Sequence, residues 1–135
     1  VTKPILCLDF DGVIHSYTSG WKGADIIPDP PVPRTFEFIV TAQESFRVAI
    51  FSSRSNQPGG REAMQKWFED WFREWTSENP DRWPSEGWRQ KALDEIEWPT
   101  EKPAAFLTID DRAITFNGKW PDPTLLLHFK PWNKQ

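Results

Sequence analysis

The sequence predicts an α/β fold, a doubly wound parallel sheet flanked by helices. Three observations carry that prediction. Short apolar runs recur along the chain, helical periodicity fills the intervals between them, and a polar cluster stands at the carboxyl end of each run. A chain of 135 residues fits a single domain, 1–135, because a second core would leave each half too small to bury its apolar side chains.

The first strand is read over residues 4–10, where Ile5, Leu6, Cys7, Leu8 and Phe10 are apolar on both faces, as a strand inside a parallel sheet must be. Residues 15–33 follow, and Pro28, Pro30, Pro31 and Pro33 lack a backbone donor, which predicts an extended, stiff connector. A helix is read over 34–44 and a second strand over 46–51. The strongest periodicity is 61–75. There Met64, Trp67, Phe68, Trp71, Phe72 and Trp75 share one helical face, with Glu62, Lys66, Asp70, Arg73 and Glu74 around the rest. Pro80, Pro84 and Gly87 break the next stretch before a shorter helix over 88–96. The third strand, 105–109, has the buried character of the first two. Beyond it the reading is a short extension at Ile114-Thr115-Phe116, a turn at Asn117-Gly118 and a last helix over 122–127.

Composition narrows the class. Nine Trp and ten Phe give a short chain large side chains for its core. A mean hydropathy of -0.64 and the lack of any apolar run near ~20 residues argue against a membrane protein. The run Ile5–Leu8 is too short for the core of a signal peptide. Cys7, the one cysteine, has no internal disulfide partner, so a cytoplasmic protein is expected. The net charge of -4 disfavours general nucleic-acid binding, yet it is unevenly spread. Residues 61–100 hold six basic and ten acidic side chains, and the remainder holds ten of each. The acidity therefore disfavours broad binding along a nucleic-acid backbone but does not exclude a phosphorylated substrate.

Chemistry is expected where strands end, because open α/β sheets bind ligands at the carboxyl ends of their strands. Asp9 and Asp11 follow the first strand directly, and Gly12 releases the chain into a tight turn. Ser52, Ser53, Arg54 and Ser55 follow the second, where hydroxyls and a guanidinium suit phosphate oxygens. Asp110 and Asp111 follow the third. Adjacent acids there repel unless a cation lies between them, and such hard oxygen ligands suit Mg²⁺. Lys102, just before that strand, is a mobile point charge for phosphate. Lys91, in the 88–96 helix, is its rival. His15, His128, Cys7 and Arg112 are read as loop, terminal, core and ion-pairing residues without a catalytic role.

The ordered set Leu8-Asp9-Phe10-Asp11-Gly12-Val13, Ile50-Phe51-Ser52, Lys102 and Ile109-Asp110-Asp111 resembles the four motifs of the haloacid dehalogenase superfamily of phosphotransferases, over residues 5–111. The run Ser52-Ser53-Arg54 is also similar to the Ser-Gly-Arg of the phosphatase half of polynucleotide kinases, with Ser53 in place of Gly. The resemblance implies a haloacid-dehalogenase-like fold and a phosphomonoester hydrolase. Asp9 would be the nucleophile that forms an aspartyl-phosphate, and Asp11 the acid and then the base. Mg²⁺ would be held by the Asp9 and Asp110 carboxylates and the Asp11 carbonyl, and Ser52 and Lys102 would hold phosphoryl oxygens. Asp111 would be either a water-mediated metal ligand or the residue that orients Lys102.

Neither 15–33 nor 76–98 is long enough for a folded cap. The expected site is therefore open to large substrates, such as a nucleic-acid end or a phosphoprotein, or is closed by a neighbouring subunit of a homo-oligomer. Arg54, Ser53 and Trp21 are the candidate substrate contacts, on nucleotide or polynucleotide ends among other phosphomonoesters. Trp67, Trp71 and Trp75 are read as core, whereas Trp83, Trp88 and Trp98 are candidate docking aromatics. The alternative function is a non-catalytic module of the same fold that uses its Trp-rich face for a protein partner.

Overall fold

The computed structural model describes residues 2–81 and 85–134 of the chain. Strands β1 (Ile5–Leu8), β2 (Arg47–Ile50) and β3 (Leu107–Ile109) form a parallel sheet in the order β2-β1-β3, with Cys7 opposite both Ala49 and Thr108. Three helices complete the α/β architecture: α1 (Thr35–Ala42), α2 (Gly60–Ser77) and α3 (Glu86–Asp94).

The sheet has a further edge contact that the sequence reading does not contain. The amides of Arg47 and Phe51 donate to Pro4 and Leu8 on the β1 side, while Ile50 N–H donates to the Glu97 carbonyl and Glu97 N–H to the Val48 carbonyl on the other. Glu97 thus forms a parallel bridge to Ala49. The steps from β1 to β2 to Glu97 run in one direction, and right-handed crossovers put their connections on one face. On that face Leu6, Leu8, Val48 and Ile50 join Phe36 and Ile39 of α1, Met64, Phe68 and Phe72 of α2 and Ala92 of α3 in one buried cluster. The doubly wound expectation has helices on both faces; in the described residues all three meet this one. The connection from Glu97 back to β3 brings Lys102 to the other face, beside Cys7 and Thr108.

The aromatic stripe of α2 is core, as its period requires. Met64, Trp67, Phe68 and Phe72 are buried, and Trp71 and Trp75 pack partly buried against them. Trp98 packs there too, Trp88 is exposed, and Trp83 lies outside the described residues.

Four expectations need correction. Residues 15–33 are not an extended connector but a closed flap, whose ends meet where Ser16 N–H donates to Pro30 and Val32 N–H to Ile14. The third strand is three residues long and exposed throughout, because β1 is its one neighbour in the sheet and an apolar run is buried only where something covers it. No helix spans 122–127. A 3-10 turn at Leu125–His128 stands there instead, since Pro121 and Pro123 lack donors and Asp122 captures the Thr124 amide and hydroxyl. Residues 114–116 add no strand, and the stretch from Arg112 to Lys130 is exposed. Among the described residues no helix is long and apolar enough to cross a membrane.

Candidate active site

Asp9 leaves the end of β1 with its amide bonded to Ile109 of β3, at the gap where the strand order reverses. The next residues make a tight turn. Ile14 and His15 donate to the Phe10 carbonyl, Gly12 donates to His15, and Gly12 adopts φ +85°. A Cβ on Gly12 would run into the Asp111 carboxylate, so glycine both makes the turn and lets the β3 acids approach it.

Asp11 points into a buried network. His15 Nδ1 lies 2.9 Å from Asp11 Oδ1, and the Asp29 amide donates to His15 Nε2 at 3.1 Å. An amide N–H can only donate, so Nε2 offers its lone pair and Nδ1 carries the hydrogen given to Asp11. Arg54 Nε donates to both Asp11 oxygens, at 2.9 and 3.2 Å. Its second arm donates to the flap carbonyls of Gly23, Ala24 and Ile26, and the Trp21 ring lies 4.7 Å from the guanidinium carbon. Arg54 and His15 are both fully buried. Trp67 edges onto Phe10 and His15, and its indole N–H donates to the Asp29 carbonyl, which ties α2 to the flap. Gly60, the first residue of α2, sits where a Cβ would strike the Arg54 carbonyl.

At the end of β2, Ser52 N–H donates to Ser55 Oγ, and the Arg54 amide donates to Ser52 Oγ. At the end of β3, Asp110 accepts from the Arg112 amide, while Asp111 Oδ1 is buried without a hydrogen-bond partner. One oxygen from each of Asp9, Asp110 and Asp111 lies within 4.8 Å of the others. Burial first, and then the Asp110 charge, push the Asp9 carboxyl up to about 8, and burial also raises Asp111. Three crowded hard-oxygen donors, one of them orphaned, fit a divalent cation such as Mg²⁺.

Asp9, Ser52, Ser53, Lys102 and Asp110 line one cleft of about 230 Å³ over Cys7 and Thr108. Lys91 lines a separate groove with Lys3 and Gln43, 3.9 Å from Glu95. The Asp11 carboxylate stands outside the three-acid cluster, held by Arg54 and His15. Arg54, a candidate substrate contact by sequence, has its Nε and one terminal nitrogen taken by protein acceptors, which leaves the other terminal nitrogen. Trp21 is half-exposed, with its ring on that guanidinium.

Sequence reasoning missed two flap residues. His15 orients Asp11, for which its spacing four residues on was the only signal. Tyr17 takes φ +60°, lies edge-on to His15, and has its phenol raised by burial and by Asp11. No protein-family model, no curated protein and no solved structure matches the chain.

Proposed function

We propose that the chain is a Mg²⁺-dependent phosphomonoester hydrolase of the haloacid-dehalogenase type, working through an aspartyl-phosphate on Asp9. The observation that carries the reading is the meeting of Asp9, Ser52, Lys102 and Asp110 in one cleft at three strand ends. The order β2-β1-β3, with Glu97 beyond β2, gives a parallel sheet whose order reverses at that cleft, where open α/β sheets bind ligands.

A carboxylate oxygen of Asp9 attacks phosphorus in line, and the bond to the ester oxygen breaks. Asp11 in its acid form gives its proton to that leaving oxygen, and the carboxylate so formed, held by Arg54 and His15, takes one from the water that attacks the acyl phosphate and frees Asp9. Arg54 and His15 keep Asp11 oriented through both halves. The Ser52 hydroxyl and the Lys102 ammonium hold phosphoryl oxygens during transfer. Mg²⁺ held by Asp9, Asp110 and Asp111 would offset the charge of two anions brought together. Substrates in keeping with an open cleft include nucleotide and polynucleotide ends, sugar phosphates and phosphoproteins, and a single cysteine suits the cytoplasm. The alternative docking module gains no surface from the buried stripe of α2.

The test is hydrolysis of an aryl phosphate with Mg²⁺ and with a chelator, together with acid trapping of labelled phosphate on the protein. Metal-dependent turnover and label on the parent but not on Asp9→Asn are expected. Full activity in Asp9→Asn would overturn the mechanism.

A further inference from the structure

The stretch between β3 and the C-terminal turn exposes seven large apolar side chains. Ile114, Phe116, Trp120, Leu125, Leu126, Leu127 and Phe129 are all exposed, with Trp120 at 87 % and Leu127 at 89 %. With roughly 150–250 Å² for each aromatic side chain and about the lower end of that range for each Ile or Leu, their exposed fractions amount to on the order of 800 Å². Monomers rarely show contiguous apolar patches above about 300–600 Å², and about 800 Å² is what each partner gives to a standard stable interface.

The stretch is also a shaped surface. Ile114, Phe116, Trp120, Pro121, Pro123 and Leu126 line a hollow of about 780 Å³, and the rings of Phe116 and Trp120 lie 4.6 Å apart at its wall. Leu125 and Leu127 stand outside that hollow. The stretch is held at both ends. β3 pairs with β1, and beyond a buried Pro131 the Trp132 indole donates to the Gly12 carbonyl and Asn133 Nδ2 to Ser16. Among residues 113–130 the charged side chains are Lys119, Asp122 and Lys130, so like charge does not wall off the face.

We propose that residues 113–130 form the interface of a two-fold symmetric dimer, in which Leu125 and Leu127 of each copy enter the hollow of the other. A two-fold interface needs a surface complementary to itself, and a hollow beside a projection on one stretch meets that need. The occupant is a second copy of this chain. The proposal does not depend on the hydrolase reading.

The test is the mass of the full chain in solution by light scattering and sedimentation velocity over a dilution series. The expected result is twice 15.8 kDa. The double variant Trp120→Glu/Leu127→Glu, which alters two side chains that face solvent in one copy, is expected to keep the parent's circular dichroism and weaken self-association at least about 30-fold, the loss of one hot-spot side chain. A parent that is monomeric throughout overturns the proposal, including the case in which another molecule covers the patch. So does a dimeric parent whose folded double variant is equally dimeric. If the double variant does not fold, hydrogen exchange of the parent decides: amides of 113–130 gain protection as concentration rises, and unchanged protection overturns the dimer.

Discussion

The pair of acids after β1 and the pair after β3 stand on very different supports. Asp9 and Asp11 follow a strand with neighbours on both edges, and Asp11 is held by a fully buried guanidinium and imidazole. Asp110 and Asp111 follow a three-residue edge strand exposed along its length, and Asp111 keeps one oxygen without a partner. On the proposed function the difference separates two physical jobs. On that reading an acid–base group must sit in one geometry before substrate arrives, which the buried donors of Arg54 and His15 provide for Asp11. Groups that hold a cation can leave a coordination need open, because the ion completes them when it binds.

The sharpest way to break the comparison is at Asp9. Asp9→Asn is expected to cost about 10⁴-fold or more in turnover, the scale of losing a covalent nucleophile. The same change is expected not to lower the melting temperature without metal, since it removes one of three crowded carboxylates. A variant that loses stability along with activity would make Asp9 part of the scaffold rather than the chemistry.

A second test sets the two supports against each other. Arg54→Met leaves the Asp11 charge without its buried partner and is expected to cost about 3–5 kcal/mol in urea unfolding. Asp111→Asn removes a buried charge that has no hydrogen-bond partner on one oxygen, and is expected to raise the stability of the metal-free protein. Equal losses at both positions would mean that the two halves of the cleft are supported alike.

How much of this was legible in the sequence follows the same division. The strand ends were readable, because an apolar run that stops at Asp9, Ser52 or Asp110 is a local change of polarity. The α2 stripe was readable because its period is written in neighbouring residues. Arg54 on Asp11 was not, for the pair is 43 residues apart and forms because the flap folds over it. The exposure of β3 was hidden for another reason: Leu107 and Ile109 look like core whether or not anything covers them. Proline and an Asx contact overrode the apolar run at Leu125–Leu127, where the helix was expected. Glu97 carried no strand signal, since a single bridging residue has no period.

A third test concerns the lysines. Lys102 lines the cleft with Asp9 and Ser52, and Lys91 lines a different groove. Lys102→Ala is expected to lower kcat/KM about 10- to 100-fold, by removal of a charge-assisted contact to phosphate. Lys91→Ala is expected to stay within about twofold, as surface changes away from a site do. Steady-state kinetics on one aryl phosphate checks both. The reverse ranking would move the phosphate subsite off the cleft.

The smallest expected effect is on pH, and its sign distinguishes a cation site from an ordinary acidic surface. Burial, then Asp110, raises the Asp9 carboxyl to about 8 in the folded protein, against 3.8 for the free group. Between those values the folded chain keeps a proton that the unfolded chain has released. Stability must fall where the unfolded state binds fewer protons, so this contribution is complete below about pH 4 and is lost as pH rises through about 8. Asp111, raised by burial, acts in the same direction. Mg²⁺ bound by these carboxylates would take the place of those protons, so its stabilising effect is expected to grow from pH 5 to pH 8. Thermal melts at both pH values, with Mg²⁺ and with a chelator, read that difference. Asp9→Asn is expected to flatten the metal-free pH dependence, because the residue that holds the proton is gone. A Mg²⁺ effect equal at both pH values would detach the cation from Asp9, and the Asp110–Asp111 side of the cleft would then bind it without help from β1.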